Sequence, residues 1–305
     1  MSSPMTEAER DDAAVPEAGG GPKQRPWLVI NPGSTPLRQY MRDVLHHRDL
    51  IRVLAGRQIK LRYRQTVLGV SWVLLGPLLS AGILGFVFGK VAKLSTDGVP
   101  FFLFSYASVA AYNLFANSTT TGTSVYISNS GLVSKIYFPR VILPLSNVLS
   151  TLLDYSVSLS VLIVLLFTTS AAGGESLVPG LPFLLLPVWI LLFLMFAQGL
   201  GALLGSWSVR YRDIPQVVPV LIQLALYASP VAYAVTGNVP EEYQKWYYLN
   251  PLASLLEAFR WSAFSGASPF PSTGYLIYSI VVIVVIFFAG LVILERMEGR
   301  FADVI

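Results

Sequence analysis

The chain has 305 residues, 54% of them hydrophobic and 12% charged, about half the charge of an ordinary soluble domain. Residues 1–66 hold eleven of the 21 Lys and Arg and seven of the 17 Asp and Glu, so the remainder could hardly build a water-soluble surface. This excludes a soluble enzyme, a nucleic-acid binder and a disordered protein, and the absence of Cys excludes a disulfide, a thiolate zinc site and a cysteine nucleophile.

Residues 1–26 carry Ser, Pro, Glu, Asp and the run Gly19-Gly20-Gly21, with almost no large apolar side chains. Such a segment has too little apolar surface to order itself. No apolar stretch follows its charges, so it is not a signal peptide. A disordered cytoplasmic tail is expected over 1–35.

Residues 36–65 have a different pattern. Leu37, Tyr40, Met41, Val44 and Leu45 recur at helical spacing, and Ile51, Leu54, Gln58 and Ile59 roughly continue the stripe. Arg38, Arg42, Arg48, Arg52, Arg57, Lys60, Arg62 and Arg64 supply the charge. One apolar and one basic side is the pattern of a helix lying in a membrane interface. A helix packed on other protein would show it too, and both can hold along one length. The small net charge of +4, concentrated here, reads as membrane-surface charge.

Long apolar stretches follow, and a bilayer crossing takes about 20 residues. Six are expected: Val67–Val91, Phe101–Thr121 (more polar towards its end), Val141–Thr168, Leu181–Val209, Ile214–Val235 (broken by Pro219 and Pro230) and Leu276–Leu294. An even number puts both termini on one side. That side then carries seventeen Lys and Arg, eleven of them in the N-terminal segment, and the other carries Lys90, Lys93, Lys245 and Arg260. Positive charge favours the cytoplasm, so both termini are expected there. Between the fifth and sixth stretches, residues 236–271 contain Leu252–Phe264, apolar but too short to cross. It reads either as a re-entrant helix on the outer face or as an external loop with one amphipathic helix.

Catalytic constellations are scarce. His46 and His47 are adjacent on the basic helix, and neighbouring helical positions do not face one ligand, so no metal site is expected. No Walker A sequence occurs, because Gly89-Lys90 lacks the earlier Gly at the required spacing. Asp154 is the one carboxylate inside an expected span. It is a functional candidate by default, against a packing role with a neighbouring Ser or Thr. Aromatic residues are numerous. Trp72, Tyr106, Tyr112, Phe115, Tyr227 and Tyr233 are the candidates for a sugar pathway, since flat rings suit pyranose faces; the other reading is interfacial anchoring. Gly85-x-x-x-Gly89 and Gly201-x-x-x-Gly205 permit close helix approach without saying which helices meet.

Five motifs then stand in order. The run Arg57-Gln-Ile-Lys60-Leu-Arg62-Tyr63-Arg64-Gln-Thr-Val-Leu68-Gly69-Val-Ser-Trp72, with Pro77, resembles the start of the first span of polysaccharide-export ABC transporter permeases, the ABC-2-type membrane subunits that export O-antigen, capsule or teichoic acid. Asn129-Ser-Gly131-Leu-Val-Ser-Lys135-Ile-Tyr-Phe138-Pro139-Arg140, with Pro144, resembles their loop between spans two and three. Tyr211-Arg212-Asp213-Ile214, Ser229-Pro230-Val231 and Asn250-Pro251 resemble later signatures, so the likeness covers about residues 45–295.

The resemblance implies an all-α integral membrane protein of the bacterial cytoplasmic (inner) membrane. An interfacial helix would precede a six-helix domain over 66–295 and a cytoplasmic C-terminus over 296–305. That domain would hold a coupling loop at 122–140 and external re-entrant gate helices at 236–271. It further implies a homodimer bound to two copies of a separate ATPase, which would carry the ATP and Mg, with no cofactor on this chain. Asn129, Leu132, Val133, Lys135, Ile136 and Phe138 would contact that ATPase. The substrate would be a polysaccharide on a polyprenyl-pyrophosphate lipid. Arg57, Lys60, Arg62 and Arg64 would then face its pyrophosphate; their other reading is an anchor for anionic membrane lipid. The alternatives are an ABC-2 exporter of a small molecule or drug, a membrane-embedded transferase acting on a lipid-linked sugar, and an ATP-independent flippase. The transferase would need a catalytic Asp or His cluster at the membrane face, and none is found; the flippase would usually need more spans in one chain.

Overall fold

The computed structural model describes residues 47–64, 71–96, 98–133, 138–171 and 179–304, apart from the side chains of Arg62, Val133 and residues 298–304. The regular elements among the described residues are all helices, with no strand. In chain order the helices are α1 (Arg48–Tyr63), α2 (Ser71–Leu84, continued by a π-helical stretch Gly85–Val91), α3 (Phe101–Ser128), α4 (Ser130–Val133) and α5 (Ile142–Ala171). Then come α6 (Leu186–Ser208, preceded by a 3-10 stretch Leu181–Leu185), α7 (Ile214–Tyr227), α8 (Glu241–Tyr247), α9 (Pro251–Ala263) and α10 (Thr273–Val304). The expected tail and the first part of the basic helix, through His46, lie outside the described residues.

By length and composition, four stretches suffice to cross a bilayer: Ser71–Val91, Ile142–Ala171, Leu181–Ser208 and Thr273–Met297. Two of the six expected spans depart from the simple pattern. Helix α3 has 28 residues, about 42 Å of helix, but is rich in Ser, Thr and Asn. Part of its polarity is satisfied within the helix. The hydroxyls of Ser108, Thr119 and Thr123 donate to the carbonyls of Phe104, Phe115 and Thr119, at 2.8–2.9 Å. Such back-bonding lets polar residues sit among apolar helices without orphaned groups.

Helix α7 is the second departure. It has 14 residues, about 21 Å, and stops at Tyr227 rather than continuing to Val235. Pro230 has no N–H to continue the ladder, and residues 229–235 run on without regular helix. Ser229, Pro230, Val231, Ala232, Ala234 and Val235 are nonetheless buried. Irregular backbone at such a place is tolerated because surrounding protein, not lipid, meets it.

Helix α3 is the centre of the packing, touching α2, α5, α6, α7 and α9, while α6 also packs along α10. Small residues set the closest approaches. Gly201 and Gly205 of α6 face Gly122 of α3, and Gly199 of α6 faces Gly290 of α10. So the Gly201/Gly205 pair joins two helices of one chain. Gly89 lies against the ring of Phe101, across the turn from α2 to α3.

Candidate functional site: a basic groove opening on a polar row

Helix α1 follows the protein-packed reading along one side. Leu54 and Ala55 are buried, and Leu54, with Leu50 and Ile51 beside it, joins a cluster of Tyr126, Phe138, Ile142, Leu143 and Leu294. Gln58 Nε2 donates to Ser146 Oγ of α5 at 3.3 Å. The helix is thus packed on protein along one side. Arg52, Arg57, Lys60 and Arg64 are exposed on the other. With Gly56 and Tyr63 they border an open groove of about 1,010 Å³. Backbone at Arg62 continues the helix, but its side chain lies outside the described residues. The exposed Arg52–Asp49 pair at 3.7 Å contributes little, because water screens it.

Tyr63, the last residue of α1, borders the groove and also a second cavity of about 510 Å³. Its hydroxyl donates to Asp154 Oδ1 on α5. Asp154 is therefore tied to the end of the basic helix rather than to a neighbouring Ser or Thr alone. Trp72, Asn113, Asn117, Thr121, Thr151 and Ser158 complete much of the wall. Thr121 also borders two smaller cavities of about 290 and 370 Å³. The first of these is lined by Arg57, Ser124, Ser128, Asn129 and Asn147, and Asn147 Nδ2 donates to Thr121 Oγ1 at 2.7 Å. The second is lined by Asn113, Asn117, Thr120 and Gln223.

These cavities share one helix face. Asn113, Asn117, Thr120, Thr121, Ser124 and Ser128 recur every three or four residues along α3, which places them on one side of it. The row reaches the basic groove through Arg57. Sequence reasoning missed it, although the three-to-four spacing of Asn, Thr and Ser over 113–128 was the available signal.

The aromatic candidates divide by burial. Tyr106, Tyr112 and Phe115 are at most 2% exposed. Tyr106 donates to Ser158 O at 3.0 Å, Tyr112 donates to Ile222 O, and Phe115 stacks on Phe196 with centroids 5.0 Å apart. They hold helices together in this arrangement instead of presenting open ring faces. Trp72 and Tyr227 are exposed, and Tyr233 is half-buried with its hydroxyl paired to that of Tyr247.

The expected coupling residues are partly internal. Asn129 Nδ2 closes the end of α3 on Val125 O at 2.8 Å. Leu132 packs against the Leu54 cluster, so it is not freely exposed. Phe138 is 1% exposed, with the Arg140 guanidinium 5.5 Å above its ring. Lys135, Ile136 and Tyr137 lie outside the described residues, as does the Val133 side chain.

A further cluster lies at the other end of the molecule. Eleven of the 13 residues of α9 are buried, so it is not an amphipathic helix resting on a surface. Asn250 caps it by accepting from Leu252 N at 3.0 Å, and Trp189 Nε1 ties it to α6 through Ser262 Oγ at 2.6 Å. Arg260, 2% exposed, donates to Pro230 O at 2.6 Å and to Ser108 Oγ at 3.2 Å, with its guanidinium 4.4 Å from the Phe104 ring centre. Glu257, one turn earlier, accepts from the Tyr248 hydroxyl at 2.9 and 3.0 Å. Burial first, and the Glu257 carboxylate second, raise the Tyr248 phenol above its ordinary value, so it stays a donor. Sequence reading counted Arg260 only as an outer-side charge. An acid and a base three apart in a short apolar stretch was the signal.

Among the described residues, no three His, Asp or Glu stand close enough to hold a metal.

Residues 49–264 match the ABC-2 type transporter family. Over 257 residues, 84% of this chain and 95% of the relative, the chain is 28% identical to the O-antigen export system permease protein RfbA of Klebsiella pneumoniae. Against the protein of the same name from Myxococcus xanthus it is 29% identical over 264 residues, 86% and 98% of the two chains. Against the polysialic acid transport protein KpsM of Escherichia coli it is 22% identical over 217 residues, 71% and 81%.

Proposed function

Because the chain belongs to the ABC-2 type transporter family, we propose that it is the membrane subunit of an ATP-driven exporter that moves a lipid-linked polysaccharide across the inner membrane. The relatives named as O-antigen and polysialic acid export proteins support a polysaccharide cargo. The observation that carries the reading is the polar row of α3. It runs from a basic groove into helices otherwise apolar enough for lipid, and a hydroxyl-rich polymer needs such a path. Its contacts there are weak and many, carboxamides and hydroxyls rather than one tight clamp, which lets a chain slide.

In this reading α3 and α7 complete six crossings, α7 with the help of the buried irregular segment after it. Helices α8 and α9 form the outer re-entrant pair. Both termini are cytoplasmic, as the positive charges favour. A second copy covers the exposed apolar side of α7, where Val217, Val220, Leu221 and Leu224 stand free. A separate ATPase docks near α4. Because Leu132 is held by α1 and α5, movement there would be transmitted to the basic helix as well as to α3 and α5.

The direct test is to purify this chain together with its partner ATPase, and to identify bound lipid by mass spectrometry. A polyprenyl-pyrophosphate glycan is expected. A small amphiphilic molecule in its place would overturn the polysaccharide assignment.

The groove has its own prediction. Arg57, Lys60 and Arg64 can offer charge-assisted hydrogen bonds to a pyrophosphate. Changing all three to Gln is expected to lower export at least tenfold, with membrane insertion and thermal stability kept, since all three are exposed. Export at the wild-type rate would reduce the groove to an anchor for anionic lipid.

A further inference from the structure

Beyond the C-terminal ends of α2 and α7, two loops are hydrogen-bonded to each other across 143 positions of sequence. The Asn238 carboxamide takes both backbone groups of Ser95. Its Oδ1 accepts from Ser95 N at 2.9 Å, and its Nδ2 donates to Ser95 O at 3.0 Å. Nδ2 also donates to Ala234 O at 2.8 Å, and Ala234 N donates to Ser95 O at 3.3 Å. The place of this contact matters because α2 and α7 flank the polar row of α3. Asn113, Asn117 and Thr121 line one cavity with Trp72, Val73, Gly76 and Pro77 of α2. The same three line another with Pro219, Ile222, Gln223 and Leu226 of α7. A polymer following the row towards these ends meets the contact that joins them.

The two sides of the contact are held unequally. Segment 228–238 is anchored from within. Asn250 Nδ2 donates to Ala228 O at 3.3 Å and to Ser229 Oγ at 2.9 Å, and Arg260 donates to Pro230 O at 2.6 Å. Both ties lead to α9, which is mostly buried, as are Val231, Ala232, Ala234 and Val235. On the other side Ser95 is exposed, and α2 before it buries only Pro77 and Ala81. Its π-helical end buries no residue. Only 11% of this apolar stretch is buried, against 22–44% of the other three long ones. Lys93, between that end and Ser95, has φ +52°, a left-handed conformation that residues with a side chain seldom adopt. Water can replace the bonds of exposed Ser95 at little net cost, whereas parting Arg260 from Pro230 would strip a buried carbonyl of its donor. Moving elements come from parts with few buried apolar contacts and exposed hydrogen bonds, which here means the α2 side.

We propose that the Ser95–Asn238 contact is a clasp that closes the outer mouth of the export path. To open it, the end of α2 swings off segment 228–238 while α9 holds that segment in place. The assignment rests on the glycan-export reading, in which both termini are cytoplasmic and these ends face outward, and it adds which side of the mouth moves. Asn238 is a positioning residue, holding the two loops together through backbone groups instead of touching the polymer.

The chain has no Cys, so the double variant Ser95→Cys, Asn238→Cys places the only two thiols in it. Producing cells are treated from outside with a short bifunctional methanethiosulfonate, and newly displayed surface polysaccharide is measured. Mass spectrometry of the purified chain reports the bridge. Bridging is expected to lower export about tenfold or more, since a gate that stays shut then limits the rate, and a reductant should restore it. Wild type and each single variant should export alike with and without the reagent. A second variant reads the clasp without a cross-link. In purified Asn238→Ala the amide hydrogens of Ser95 and Ala234 are expected to exchange about tenfold faster than in wild type, as befits the loss of a few exposed hydrogen bonds, with an unchanged unfolding curve. A bridged chain that exports at the unbridged rate would overturn the gate and leave the export reading standing. A pair that does not bridge, or unchanged exchange in Asn238→Ala, would overturn the clasp itself. If cells lacking the wild-type chain still display the polysaccharide, the export reading fails and takes the gate with it.

Discussion

Gly290→Ala is expected to unfold the junction of α6 and α10. A Cβ on Gly290 would lie 2.3 Å from the carbonyl oxygen of Gly199 and 3.0 Å from its carbonyl carbon. The reciprocal change, Gly199→Ala, would put its Cβ 2.7 Å from Phe287 Cα. Both obstacles are backbone, so no rotamer change relieves them and the helices must part. Overpacking in a tight core costs about 1–3 kcal/mol, and a backbone clash lies at the top of that range or beyond. In a membrane the loss counts double in kind, because helix association there depends on close packing rather than on the hydrophobic effect. The measurement is thermal unfolding and monodispersity in detergent. A fall of several degrees or loss of the folded fraction is expected for either variant. Gly274→Ala on the same α10, with nothing within 4 Å of its Cβ, serves as the control and should behave as wild type. A normal melting curve for Gly290→Ala would mean that α6 and α10 do not meet at these glycines.

The second large effect is expected at Arg260. The break after α7 leaves the Pro230 carbonyl without a helical donor, and Arg260 supplies one at 2.6 Å. The same guanidinium reaches Ser108 of α3 and covers the Phe104 ring, so one side chain joins α9, α3 and the irregular segment. Arg260→Ala would strand a buried carbonyl and remove the positive charge one turn from buried Glu257. Removing one member of a buried charged cluster typically costs about 3–5 kcal/mol. Arg260→Lys keeps the charge but not the planar fork, so it should fall between wild type and Ala. Glu257→Gln should be milder than Arg260→Ala, because an amide oxygen still accepts from Tyr248. The order is read from thermal unfolding of the purified chain. Arg260→Ala melting with wild type, or below-wild-type melting for Glu257→Gln alone, would show that the guanidinium is not the keystone of this cluster.

Much of the membrane character was legible in the sequence, and for a physical reason. A stretch such as Thr273–Met297 or Leu181–Ser208 has to be apolar along its whole length to face lipid, and that is a local property. The break at Pro230 and the shortness of Leu252–Phe264 are local too. Clustered charge likewise marked α1, because a helix packed on one side sorts its residues by period. Residues whose role depends on their neighbours were not legible. Tyr106, Tyr112 and Phe115 have the same side chains as open sugar platforms, and only the packing of α3 against α5, α6 and α7 put them inside.

By itself, then, the sequence determined the helical membrane class, the basic helix before the first span and the family signatures, since each is written in composition, period or short motif. Tertiary structure decided which surfaces those elements share. Tyr63 and Asp154 are 91 positions apart, Arg260 and Ser108 are 152 apart, and Gly199 meets Gly290 across two helices. No local period records such pairs, because what brings them together is the mutual fit of helices that are each apolar enough to pack in several ways.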